Sequence, residues 1–285
     1  MLALTSDFHG ESRKARDIHN TLKRIAGAGF THVHWCHEWT GLYLYSDHEM
    51  HQIREWYDEE GLLAKGIHAT AGDKNSDIKD YGSQNNYNRL AGVDLIKNRV
   101  DLACILNAGD IVLHMKFPND IYANEGEYRE RYLKFVIRSL DELEPYCKTR
   151  HIRICLENLS GAPEGCCRVF DTLFERYDKD FLGLCLDTGH ALIHCKTNCL
   201  EYAERYNDRL FMIHLHDNHG ESDEHLIPFD GNFNWEGFAR VLARSPCGFP
   251  LLIESQNKTE MDDTLWLEKT FNAGSRFLKM VSQYR

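Results

Sequence analysis

Four short apolar runs in this chain end on residues that bind metals or carry protons: Arg153-Ile154-Cys155-Leu156-Glu157, Gly183-Leu184-Cys185-Leu186-Asp187, Phe211-Met212-Ile213-His214 and Pro250-Leu251-Leu252-Ile253-Glu254. A continuous apolar run of this length reads as a strand buried on both faces. The polar residue at its C-terminal end then emerges at one edge of the sheet. Glu157, Asp187, His214 and Glu254 together offer three carboxylates and one imidazole. An oxygen-rich set with one histidine suits Mn²⁺, Mg²⁺, Co²⁺ or Zn²⁺. Three carboxylates at one edge repel one another unless a divalent cation sits between them. Such a cation can hold substrate oxygens while a carboxylate on either side removes and returns a proton.

The elements that must bring these ends together form an alternation. Strands are expected at 2–6, 31–36, 62–69, 110–115, 153–157, 183–187, 210–215 and 249–254. His68 and His114 stand near the ends of the third and fourth. Helical spacing covers 15–25, 47–60, 87–106, 127–143, 167–177, the region from 191 with 200–206, 235–243 and 265–281. Ser46 with Glu49 three residues on predicts a capping box. Gly27, Gly61 and the run Asn107-Ala108-Gly109 predict helix ends, and Pro145 is expected to stop the fourth helix. The polar stretch 71–86 is expected to be a mobile loop over the site. Phe233 and Trp235 are expected to close the apolar side of the mouth, with His225 on the same loop.

Eight strand–helix units without a composition break predict one domain over 1–285, a (β/α)₈ TIM barrel of the α/β class. A doubly wound sheet is the alternative. In a barrel the active site lies at the C-terminal strand ends, where the unusual polar residues stand. Strands five and eight lie on different sides of the barrel axis, so Glu157 and Glu254 can face a substrate from two sides.

The 285 residues carry a net charge of −11, which opposes a nucleic-acid partner. No apolar stretch approaches the roughly 20 residues of a membrane span. The N-terminus opens straight into a strand-like run without the marks of a signal peptide, so a cytoplasmic protein is expected. Among the ten cysteines, Cys104, Cys155 and Cys185 sit in apolar patterns as small buried hydrophobes. A disulfide framework is not expected in a chain this long. With sixteen histidines present, a histidine counts only where its position is special. A homo-oligomer is compatible with the sequence but not specified by it.

Five segments in order resemble the xylose-isomerase-like TIM-barrel superfamily: Glu157-Asn158-Leu159-Ser160-Gly161, Asp187-Thr188-Gly189-His190, His214-Leu215-His216-Asp217, the run from His225 to Trp235, and Ile253-Glu254-Ser255. That group holds sugar isomerases, ketose 3-epimerases, inosose dehydratases and endonuclease IV-class abasic-site nucleases. The resemblance implies that Glu157, Asp187, His214 and Glu254 bind a divalent metal, with His214 preferred to His216. It implies that Glu157 and Glu254 are the acid–base pair and that His190 meets a substrate hydroxyl or carbonyl. The implied substrate is a small polyhydroxy carbonyl compound, a sugar or sugar phosphate, isomerised or epimerised through an enediolate. One departure stands out: ketose 3-epimerases carry an arginine shortly after the HxH segment, and 217–223 has none. Lys74, Lys116 and Lys258 follow strands three, four and eight and are read as solvated loop lysines rather than phosphate ligands.

The same resemblance supports an alternative. His68, His114, His190, Asp223 and His225 match in order and type the extra zinc ligands of the endonuclease IV family. With the first four they would build a multinuclear site for phosphodiester hydrolysis. A binding module with spectator carboxylates is a third class.

Overall fold

The computed structural model describes residues 1–9, 17–36, 42–70, 72–73, 76–115, 126–158, 163–259 and 261–285. Its elements run in the order β1 (Leu2–Thr5), α1 (Ile18–Gly27), β2 (His32–Trp35), α2 (Asp47–Glu59), β3 (Leu63–Ala69), α3 (Asn86–Leu106), β4 (Asp110–Leu113) and α4 (Gly126–Lys148). They continue with β5 (Arg153–Glu157), α5 (Pro163–Arg176), β6 (Leu182–Asp187), α6 (Thr188–Cys195), α7 (Glu201–Arg205), β7 (Leu210–His214), α8 (Trp235–Leu242), β8 (Leu251–Ile253) and α9 (Asp263–Ser282). All sheet pairings are parallel, in the order β7-β6-β5-β4-β3-β2-β1-β8. The seam between β7 and β8 closes just above β7. There Leu215 N donates to Leu252 O at 3.0 Å and Glu254 N donates to Leu215 O at 3.0 Å. The result is the expected (β/α)₈ barrel.

Two apolar layers hold it. The larger joins the outer strand faces to the helices. The smaller fills the barrel with Ala3, Val112, Cys155, Cys185, Met212 and Leu252, all fully buried. The cysteines expected to pack as hydrophobes therefore do so at 155 and 185, while Cys104 is half-buried. Filling the centre with small and medium side chains makes the barrel a packed core and confines polar groups to its ends.

Local signals placed most elements. Ser46 and Glu49 form the capping box, and Asn107 ends α3 in the left-handed region at φ 56°. Two expectations need correction. Pro145 does not stop α4, which runs on to Lys148. The turn beyond the proline is held by tertiary contacts: Cys147 is fully buried and Tyr146 Oη donates to Asp101 at 2.7 Å. The described part of 71–86 is no loose cover either. Tyr81 is fully buried, its hydroxyl donates to His114 O at 3.1 Å, and Ser139 Oγ donates to Tyr81 O at 2.6 Å. Phe233 and Trp235 are buried beside Phe238 and Phe277, with Trp235 Nε1 donating to Asp217 at 2.8 Å. Lys74 and Lys116 lie outside the described residues. Among the described residues no helix is long and apolar enough to cross a membrane.

Candidate metal centre

Two strand ends that carry a candidate ligand are tied to their neighbours by the residue that follows. Asn158, after Glu157, donates from Nδ2 to Asp187 O at 3.0 Å and accepts from Asp187 N at 2.7 Å. Thr188, after Asp187, donates from Oγ1 to His216 O at 2.6 Å and accepts from His216 N at 3.0 Å. These reciprocal pairs align β5, β6 and β7 where the regular ladder ends. Asp187 is also the N-cap of α6, accepting from His190 N at 2.7 Å. That cap starts the helix at Thr188, earlier than the apolar spacing indicated, and turns His190 back onto the strand ends.

The four central residues meet. His214 Nδ1 lies 2.7 Å from Glu254 Oε2, 3.1 Å from Glu157 Oε2 and 4.0 Å from Asp187 Oδ2. All four are buried, Asp187 and His214 completely. Despite these short distances neither ring nitrogen of His214 makes a directed hydrogen bond. The oxygens surround the nitrogen instead of pairing with it, as ligands around a shared cation do.

The additional candidates extend this cluster in two directions. On one side His114 Nε2 lies 3.1 Å and His68 Nε2 3.9 Å from Glu157 Oε2. On the other, His190 Nδ1 lies 3.1 Å from Glu157 Oε1, and His190 Nε2 lies 3.5 Å from Asp223 Oδ2. His225 Nε2 is 2.9 Å from Asp223 Oδ2, while its Nδ1 donates to Glu254 O at 2.8 Å. That carbonyl can only accept, so a neutral His225 would turn a lone pair toward the Asp223 carboxylate. Lys258 donates to the backbone carbonyl of Asp223 at 3.2 Å and so is tied to this loop.

The electrostatics show a demand for positive charge. Burial alone would raise the Glu157 carboxyl, yet His114 and His214 hold it well below the usual range. Burial likewise opposes the ionised form of Asp187, and His190 and His216 bring it down to about 2. Burial would lower His214, but Cys185, Glu254 and Glu157 push it well above 6.5. Asp223 overcomes burial and raises His225 to about 9. His68 goes the other way, down to about 4 through burial and the neighbouring His114. His190, His214 and His225 are pushed toward their protonated forms because, among the described residues, no lysine or arginine side chain pairs with the carboxylates. A divalent cation would replace those protons. The residues therefore fit a divalent metal, for which Glu157, Asp187, His214 and Glu254 would be the candidate holders.

Three residues of the site were not singled out from the sequence. His216 Nε2 lies 2.9 and 2.8 Å from the two Asp187 oxygens, and its ring stacks on His225 with centroids 4.1 Å apart. It fits only because residue 189 is glycine: a Cβ there would come within 2.0 Å of the ring. The signal was present, since residues two apart on a strand share a face. Asp217 accepts from Phe229 N at 3.1 Å, Phe233 N at 3.0 Å and Trp235 Nε1 at 2.8 Å, which secures the loop bearing Asp223 and His225. His34 on β2 is wholly buried below the cluster.

Four groups of residues each bring three possible ligand atoms close together: His68, Glu157 and His214; Glu157, Asp187 and His190; Asp187, His216 and Glu254; and His216, Asp223 and His225.

Comparison with known proteins agrees with this architecture. The family described as "Xylose isomerase-like TIM barrel" matches residues 22–280. The uncharacterized protein y4fM of Sinorhizobium fredii is 31% identical over 284 residues, covering 94% of this chain and 91% of that protein. A probable endonuclease 4 of Oceanobacillus iheyensis is 29% identical over 161 residues, 52% of this chain and 51% of the relative. Among solved structures, D-psicose 3-epimerase crystallised in the presence of D-fructose superposes with a TM-score of 0.76 at 14% identity, covering 99% of both chains. With its barrel closed and this match running through nearly all of it, the chain belongs to the xylose isomerase-like TIM barrel family.

Proposed function

We propose that this protein is a divalent-metal-dependent isomerase or epimerase of a small polyhydroxy carbonyl compound, a sugar or sugar phosphate. The observation that carries the reading is His214 Nδ1 lying within 4.0 Å of an oxygen from each of Glu157, Asp187 and Glu254 without hydrogen bonding to any. The sugar epimerase among the similar folds supports it. Mn²⁺, Mg²⁺, Co²⁺ or Zn²⁺ fits the ligand set. When bound, the cation would hold neighbouring substrate oxygens and stabilise the charge of an enediolate.

The chain's own groups do the rest. Glu157 and Glu254 are both held below the usual carboxylate range, so each is ionised and can accept a proton near neutrality. They approach His214 from strands that enter the cluster separately, β5 and β8. One, ionised, removes the proton beside the carbonyl, and the other, first protonated from solvent, delivers a proton to the substrate, which gives epimerisation or isomerisation according to the carbon that receives it; the first then releases its proton to solvent. His190, His68 and His114 border the carboxylates and are placed to contact substrate hydroxyls. None of the ten cysteines is in a disulfide, in keeping with a reducing compartment.

The second reading is a zinc phosphodiesterase resembling endonuclease 4. It is favoured by one observation: His68, His190, Asp223 and His225 fall in overlapping groups able to hold more than one ion, and His114 lies 3.1 Å from Glu157. The net charge of −11 weighs against a DNA substrate. Metal content separates the readings. Protein purified without added metal is expected to hold one Mn²⁺ or Mg²⁺ per chain; two or three Zn²⁺ per chain would favour the phosphodiesterase.

A further inference from the structure

His34 makes none of the ion pairs of the site, yet it occupies the barrel directly beneath it. Its side chain is fully buried and neither ring nitrogen has a hydrogen-bond partner. An unpaired buried polar group costs roughly 1–3 kcal/mol, so a histidine here is expensive unless it serves another group. Its neighbours are the rings of His214, at a centroid distance of 5.3 Å, and His68, at 6.0 Å. On β3 the facing residue is Gly66, where a Cβ would lie 3.0 Å from His34 Nδ1 and 2.8 Å from Met212 Cε. Glycine keeps the space beside that nitrogen open.

His214 has the complementary need. Its Nδ1 faces the carboxylates, so Nε2 is turned away from them, and Nε2 also lacks a partner. A metal-binding imidazole is oriented and made more basic when its second nitrogen donates a hydrogen bond. Two groups behind His214 can accept one. The Cys185 thiol is a weak acceptor, whereas an imidazole nitrogen is a strong one.

We infer that His34 is a positioning residue for His214, accepting the hydrogen bond of its Nε2–H directly or through one water and so holding Nδ1 toward Glu157, Asp187 and Glu254. This rests on the metal-dependent reading above. Loss of such a partner lowers metal affinity about 10- to 100-fold.

The test compares His34→Leu with His34→Gln, using Co²⁺ as a titrant with a visible spectrum. His34→Leu is expected to weaken Co²⁺ binding 10- to 100-fold and to shift its ligand-field bands. The metal-free His34→Leu protein should melt at the same temperature as wild type or higher, because apolar groups replace unpaired polar ones. His34→Gln keeps an acceptor and should recover most of the affinity. Unchanged Co²⁺ affinity and spectrum in His34→Leu would overturn the inference while leaving the metal site standing. A loss of stability in both metal-free variants, with affinity falling in proportion, would also overturn it by making His34 a packing residue. If wild-type protein binds no Co²⁺, the metal-dependent reading falls and takes this one with it.

Discussion

β4 and β5 carry charge at both ends, and the two ends differ. At the N-terminal end Asp110 pairs with Arg153 in register. The Arg153 Nε lies 2.8 Å from Asp110 Oδ1, and the guanidinium covers the Phe211 ring at 3.5 Å. One cation meets one anion and an aromatic face closes over them. At the C-terminal end the same strands deliver His114 and Glu157 into a group of carboxylates that, among the described residues, no lysine or arginine side chain pairs with. The lower end is electrically complete and serves stability. The upper end is incomplete: its carboxylates outnumber the cations facing them, and a metal would supply the missing charge. The candidate site sits where the protein leaves charge unbalanced.

Substitutions should separate the two ends. Asp187→Ala is expected to have the largest effect: metal content should fall to background and turnover with it, while far-ultraviolet circular dichroism stays native. Because Asp187 also caps α6, the same variant should lose about 1 kcal/mol of stability. Glu254→Gln should reduce turnover by at least about 100-fold, with metal affinity weakened less than in Asp187→Ala. Steady-state rates set beside metal analysis would show the difference. At the lower end, Arg153→Met should leave metal content and turnover per folded molecule unchanged. It should lower the unfolding free energy by roughly 1–3 kcal/mol, below the range for a fully buried pair because both partners are partly exposed; denaturant titration reads this. A stable Arg153→Met protein that lost metal would erase the distinction between the ends.

The smallest effect concerns pH. His225 is raised from 6.5 to about 9 in the metal-free protein. A raised histidine contributes stability that is fully present below the unfolded value and is lost as pH rises through the folded one. The metal-free protein should therefore become less stable between about pH 6.5 and 9. Bound metal at His225 would remove that slope, which thermal melts with and without Mn²⁺ would reveal.

The barrel was legible because each strand reads as a buried apolar run and each helix keeps its spacing. Ser46, Glu49 and Asn107 carry boundary signals that depend only on local chemistry. Pro145 misled because Cys147 and Tyr146 hold the last turn of α4 through contacts distant in sequence. The central ligands could be read because each ends an apolar run, which is a local property. His216 was passed over because one histidine of the HxH pair already satisfied the expected ligand set, although strand alternation puts both on the inner face. His34 and Asp217 depend on partners brought by other strands and loops, and no spacing rule marks them. Asp217 illustrates the point: its contacts with Phe229, Phe233 and Trp235 form only when the 217–235 loop has closed.

Solvent exchange tests the proton-transfer role of Glu157 and Glu254 most directly. Purified protein loaded with Mn²⁺ would be incubated in deuterium oxide with a panel of ketoses, ketose phosphates and inososes, and each compound examined by proton nuclear magnetic resonance. At least one should take up deuterium at the carbon next to its carbonyl, and the uptake should cease when the metal is chelated or when Glu254 is replaced by Gln. Absence of exchange throughout the panel, together with cleavage of an abasic-site oligonucleotide or another phosphodiester by the same preparation, would contradict it.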